Sequence, residues 1–119
     1  DLADIYKLLE LKKKYNAILV LDEAHALGIF GYQGAGLSRT GDPDFSDIDF
    51  RVFTCGKSLA LEGAFIACSS LVKEWLINKM RTFIFSTAPL PALSIALATA
   101  IDLVKSLDKE RDQILKTAQ

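Results

Sequence analysis

Two short stretches hold residues that could carry out covalent chemistry. Asp22-Glu23-Ala24-His25 closes an apolar run, and Lys57 ends the stretch Thr54-Cys55-Gly56-Lys57 well downstream. A lysine amine can condense with an aldehyde to give a Schiff base. A carboxylate can pair with a ring nitrogen, so that the ring stays protonated and withdraws electrons. An aspartate and a lysine at the ends of neighbouring strands are the two elements that pyridoxal phosphate chemistry needs. Lys57 lies between two apolar strands and is flanked by Gly56, Ser58 and Leu59. It is therefore expected in a low-dielectric setting that lowers the amine pKa. Each residue also has a blander role open to it. Asp22 could cap the turn that follows it, and His25 could donate to a carbonyl. It is the combination with Lys57 that points to chemistry.

The elements around these residues set where they can stand. Leu2, Ile5, Leu8 and Leu9 recur at helical spacing, with Lys7, Lys12, Lys13 and Lys14 on the wet side and at the end, which predicts a helix over about 2–14. Ala17 to Leu21 is an unbroken apolar run, expected as a strand buried on both faces, with Asp22 at its C-terminal end. In an open α/β sheet that end is where ligands bind. Residues 28–47, with Gly28, Gly31, Gly34, Gly36, Gly41 and Pro43, read as a long loop containing short helical turns. Strands follow at 51–54 and 64–68, joined by the hairpin-like return from Gly56 to Gly63. Ser69 or Ser70 caps an amphipathic helix through Leu71, Trp75, Leu76 and Met80. Phe83 to Ser86 is expected to be extended. Pro89 and Pro91 open a last helix with Leu93, Leu97, Ala100, Ile101, Val104 and Leu107 inward.

The chain has 119 residues, 50% of them hydrophobic and 24% charged, which is the make-up of one packed domain and not of a disordered tail. Its 14 basic and 15 acidic residues leave a formal charge of -1, so there is no electrostatic footprint for nucleic acid or an anionic membrane. No apolar run approaches the roughly 18 residues of a membrane span, and the start lacks an export signal. Cys55 and Cys68 are expected as buried thiols in a reducing cytoplasm, being too few for a disulfide scaffold. A single histidine and no C-x-x-C pair argue against a metal centre. Both ends fall within helical patterns, so the chain is expected to be a piece of a longer protein.

Two other readings use the same residues. Leu19-Val20-Leu21-Asp22-Glu23-Ala24-His25 matches the Walker B strand of DEAH-box helicases, in which the glutamate serves the attacking water. A helicase needs its phosphate loop upstream of that motif. Here Gly56-Lys57-Ser58 lies downstream, with Arg51 in place of the first glycine. A nicotinamide fold fails because Gly31-Tyr32-Gln33-Gly34-Ala35-Gly36 is not G-x-G-x-x-G and does not follow a strand.

With D-E-A-H-A-L-G at 22–28, G-x-x-G-x-G at 31–36, T-C-G-K at 54–57, G-A at 63–64 and R-T-F-I-F-S-T-A at 81–88, the chain resembles the α-oxoamine synthases, which are fold-type I pyridoxal phosphate enzymes. The resemblance implies an α/β fold, with residues 1–119 as the central part of the large cofactor-binding domain, a mainly parallel mixed sheet flanked by helices. An N-terminal segment and a C-terminal small domain would lie outside it. It also implies that Asp22 pairs with the pyridine nitrogen, His25 bonds the phenolic oxygen and Thr54 contacts the phosphate. Lys57 would carry pyridoxal 5'-phosphate as a Schiff base, and Ser86 and Thr87 would reach the phosphate of the neighbouring subunit in a cytoplasmic homodimer. The implied reaction, closest to the biotin-pathway branch of the family, is a decarboxylating condensation of L-alanine with pimeloyl-CoA or pimeloyl-ACP. Another member of the family is the alternative. Departures from the family pattern fall at Cys55, Ala60 (commonly glycine), Glu62 and Leu90.

Overall fold

The structure, a computed structural model, describes residues 2–40 and 47–118. Gly41 and Pro43 of the predicted loop lie outside the described residues. The first helix, α1 (Ile5–Tyr15), starts later than its apolar pattern because Asp4 is its N-cap, accepting from the Lys7 N–H at 3.1 Å. Lys12, Lys13 and Lys14 occupy its last turn, where positive charge suits the helix dipole, and Asn16 ends it in the left-handed conformation. Ile5 and Leu9 are its buried residues and pack with Leu21 and Ile48.

Strand β1 (Val20–Asp22) pairs in parallel with β2 (Phe50–Thr54), with Leu21 opposite Arg51 and Asp22 opposite Val52. Strand β3 (Ala64–Cys68) returns antiparallel, with Thr54 opposite Ala64. The sheet order is β1-β2-β3, so the predicted α/β class and mixed sheet are observed, with one parallel and one antiparallel pair among the described strands. The parallel pairing has the consequence that matters here, because it sends the chain after Asp22 and the chain after Thr54 out of the same end of the sheet. The expected burial of the first strand on both faces is not met. Leu21 is buried, but Ile18 is 73% and Val20 59% exposed, because α1 packs on Leu21 and no described element covers the other two.

A polar staple sets the register at the other end of the sheet. Lys12 Nζ donates to the Asp47 carbonyl at 2.6 Å and pairs with Asp49 Oδ2 at 2.8 Å, and that carboxylate also accepts from the Leu19 N–H at 2.8 Å. The Lys12 ammonium and then the Leu19 amide hold the Asp49 carboxyl below the usual carboxylate range.

A second apolar cluster gathers Leu27, Phe53, Cys55 and Leu59. Phe65 stacks on Phe53 with ring centroids 4.8 Å apart, and Leu97, Ala100, Ile101 and Val104 close over them. Those last four belong to α4 (Pro91–Lys105), which Pro91 opens as predicted. Helix α2 (Ser70–Lys79) is capped by Ser69, yet none of its residues is buried, so its apolar stripe of Leu71 and Trp75 faces outward. The segment expected to be extended at 83–86 instead begins as a helical turn, α3 (Arg81–Ile84). The Phe83 and Ile84 amides both find the Met80 carbonyl at 3.0 Å, which restarts the helix after the extended Met80. The last predicted helix is two. Both the amide and the hydroxyl of Ser106 turn back to the Leu103 carbonyl and end α4, and α5 (Asp108–Thr117) restarts with Asp108 and Glu110 in its first turn.

Candidate active site

Asp22, His25, Thr54 and Lys57 line one cavity of about 530 Å³ at the end of the parallel pair. Asp22 is the last residue of β1. Its Oδ1 accepts from the Ala24 N–H at 2.9 Å, so the turn-capping role and the place in the cavity are held together. The turn that follows carries His25, exposed to the cavity, and is closed by the Ala26 and Leu27 amides donating to the Glu23 carbonyl at 2.9 and 3.0 Å.

Thr54, the last residue of β2, contributes a hydroxyl that is buried without a hydrogen-bond partner among the described residues. An orphaned donor of this kind costs stability unless something fills its place, and a ligand oxygen would do so. Lys57 follows in a tight return in which the Ala60 N–H donates to the Lys57 carbonyl at 3.1 Å and the Leu61 N–H to the Cys55 carbonyl at 2.9 Å. Ala60 sits in the left-handed region at φ 51°, which disfavours any residue but glycine. The low-dielectric setting expected for Lys57 is corrected by the structure. Its side chain is exposed, because the return projects from the end of the sheet and no described element covers it.

Gly28 explains how this return reaches the acidic turn. It has φ 80°, and a Cβ on it would meet the Ser58 Cβ at 2.6 Å. Only a bare Cα lets the residue after Lys57 pack against the end of the Asp22–His25 turn. Cys55 is 2% exposed, and burial pushes its thiol up, away from the thiolate. Cys68 is only half-buried, short of the burial expected for it.

Ser86 and Thr87 do not join the cavity within the chain. Both are exposed, and the Ser86 hydroxyl donates to the Thr82 carbonyl one helical turn back.

Two buried charges were missed by sequence reasoning. Glu23 is 1% exposed and its carboxylate accepts from the Leu37 and Ser38 N–H groups at 2.7 and 2.9 Å, tying the acidic turn to the glycine-rich loop. The signal available was the pairing of an acid with the small G-x-x-G-x-G loop, which leaves backbone amides to be satisfied. This geometry also removes the helicase reading, since a glutamate committed to two amides is not poised over an attacking water. Arg111, 6% exposed, donates to the Val104 carbonyl and to Asp108 and lies against Gly34, anchoring α5 to the same loop.

Comparison with known proteins bears on this cavity. The sequence profile of the family described as aminotransferase class I and II matches residues 1–119. The chain is 43% identical over 119 residues to the 8-amino-7-oxononanoate synthase of Chlorobaculum parvum, covering 99% of this chain and 30% of that protein. It is 39% identical over 120 residues to the enzyme of the same name from Lysinibacillus sphaericus, covering 100% and 30%. Thus the chain spans about a third of the length of these relatives. Among solved structures, a serine palmitoyltransferase variant from S. paucimobilis with PLP and myriocin bound superposes with a TM-score of 0.89. It is 26% identical, over 99% of this chain and 29% of that one.

Proposed function

The chain belongs to the aminotransferase class I and II family, and on that premise we propose that residues 1–119 are the central part of the large pyridoxal 5'-phosphate domain of an 8-amino-7-oxononanoate synthase. The whole protein would condense L-alanine with pimeloyl-CoA or pimeloyl-ACP, with loss of carbon dioxide, in biotin synthesis. It would work in the cytoplasm as a homodimer. The observation that carries this reading is the convergence of Asp22, His25, Thr54 and Lys57 on one cavity.

The residues present suit the cofactor. The buried Thr54 hydroxyl, without a hydrogen-bond partner among the described residues, would donate to a phosphate oxygen, and Asp22, anchored through Oδ1, would set its other oxygen against the pyridine nitrogen. These residues would hold pyridoxal 5'-phosphate, which would supply an aldehyde for the Lys57 amine and an electron sink for charge left at the substrate α-carbon. Asp22 would hold the proton on the ring nitrogen by opposing it with a negative charge. His25 would donate to the phenolic oxygen. Lys57 Nζ would remove the α-proton of alanine and, after that carbon displaces the thiol of the acyl thioester and its carboxylate leaves as carbon dioxide, return a proton to it. Ser86 and Thr87, exposed and away from the cavity, are suited to reach the phosphate held by a second subunit.

Borohydride reduction of the full-length protein, followed by peptide mapping, tests the central assignment. The label should appear on Lys57, and a label on Lys73 or Lys79 would reject it. L-Alanine should shift the visible absorption band of the holoenzyme. A larger response to serine or glycine would keep the family and move the activity to another α-oxoamine synthase.

A further inference from the structure

Glu23 sits between Asp22 and His25, yet no step above uses it. At 1% exposure its carboxylate must be matched by donors inside the protein, and both of its oxygens are matched, one by the Leu37 N–H and the other by the Ser38 N–H. Its main chain is equally committed. The amide donates to the Val52 carbonyl at 2.8 Å, and the carbonyl accepts from Ala26 and Leu27. Three segments that line the cavity therefore meet at one residue. They are the turn carrying Asp22 and His25, the strand that leads from Val52 to Thr54, and the loop whose Leu37 forms part of the cavity wall. Gly36 leaves just enough room for this. A Cβ there would lie 2.9 Å from the Glu23 carboxyl carbon, at a φ of 107°.

We propose that Glu23 is a positioning residue of the cofactor site, one that fixes Asp22 and His25 relative to Thr54 and Lys57 by clamping the Gly36–Ser38 turn. The proposal rests on reading the cavity as a pyridoxal phosphate site. The physical need for a clamp arises because the Asp22 Oδ1–Ala24 bond and the bonds that close the turn are local and do not tie Asp22 and His25 to the glycine-rich loop. β1 is only three residues long, and both side chains are exposed. Two amides on a buried carboxylate are charge-assisted bonds that a neutral side chain does not reproduce. An error of about 1 Å at a reacting group costs on the order of 100-fold in rate.

The test uses full-length protein carrying Glu23→Gln, which keeps the shape but turns an NH2 against a backbone N–H, and Glu23→Asp, which keeps the charge but is one methylene shorter. Amide hydrogen exchange at Leu37 and Ser38 in the cofactor-free protein reads the clamp directly. The dissociation constant and absorption maximum of bound pyridoxal phosphate read its effect on the site. Glu23→Gln should speed exchange at both amides, weaken cofactor binding by about tenfold or more, displace the absorption maximum and lower kcat more than it raises KM. Glu23→Asp should recover part of each loss, and it carries the same reading should the glutamine variant fail to fold. Faster exchange or a lower melting temperature, with cofactor affinity, absorption maximum and kcat unchanged in both variants, would make Glu23 a structural support only and overturn the proposal. Unmodified protein that binds no pyridoxal phosphate would overturn the functional reading and the positioning role with it, while exchange at Leu37 and Ser38 would still report whether the clamp exists.

Discussion

The first half of the chain and the helical arm after Ser69 are built on opposite plans. Every buried apolar residue described, from Ile5 to Leu59, belongs to the first half, together with Glu23 and Ser38. From Ser69 onward Arg111 alone is buried among the described residues, while Leu71, Trp75, Phe83, Phe85, Leu90 and Ile95 are exposed. The first half holds the buried side chains, which α4 of the arm helps to cover through Leu97, Ala100, Ile101 and Val104, and it carries all four candidate site residues that line the cavity. The exposed large apolar side chains of the arm, among them Leu71, Trp75, Phe83 and Phe85, are of the kind that marks contact surfaces where they are contiguous.

The largest effect should come from joining the two halves in one experiment. Lys57→Ala in the full-length protein should lower turnover by at least about 10³-fold, and Ser86→Ala with Thr87→Ala should weaken cofactor retention. Mixing the two variants should restore part of the activity, since in the proposed shared-site dimer one of the two sites would carry both defects and the other neither. No recovery despite verified subunit exchange would reject the role of the arm in a neighbour's site.

Stability measurements sharpen the contrast. Phe53→Ala removes a ring stacked in the second cluster and should cost about 3–5 kcal/mol by denaturant titration. Phe85 is 77% exposed in the chain, so Phe85→Asp would change little if the arm stayed uncovered. In the assembled protein it should instead cost about 2–4 kcal/mol of association, read as monomer by light scattering. A dimer as tight as the unmodified one would show that Phe85 is not a contact.

A smaller effect is expected in the Lys57 return. Ala60 holds a left-handed φ that glycine adopts freely, so Ala60→Gly should stabilise the fold by about 1 kcal/mol, read as a raised denaturation midpoint. The smallest effect concerns acid. Asp49 has its folded pKa below the ordinary carboxylate value of about 3.9, so its contribution is present in full above that pH and is lost as pH falls through the lowered value. Asp49→Asn should flatten the acid limb of the stability curve there and leave the cavity unaltered.

Much of this was legible from local pattern. Asp22 and Lys57 stood out as types, the second and third strands lie within a residue of their expected limits, and Pro91 opens its helix as its fixed φ requires. The misreadings share a cause. Apolar runs show that a segment is to be buried but not by what, so Ala17–Leu21 read as buried on both faces and Leu71 and Trp75 as the apolar face of an amphipathic helix, although the described chain covers only part of the first and leaves the second pair exposed. The helical turn at Arg81–Ile84 and the break at Ser106 depend on where single carbonyls find amides, which spacing does not reveal.

By itself the sequence determined the chemical inventory: an acid at a strand end, a lysine after a later strand, and a glycine loop able to approach both. Residue type and the two- and 3.6-residue periods are local properties, and local properties survive in a string of letters. Tertiary structure alone decided that β1 and β2 run parallel, so that Asp22 and Thr54 open into one cavity. It also decided that Gly28 admits the Lys57 return against the acidic turn, and that Glu23 turns inward to Leu37 and Ser38 while its neighbour Asp22 faces the cavity. Those outcomes come from pairing and close approach between distant segments, where one hydrogen bond or one absent methyl sets which way a charge points.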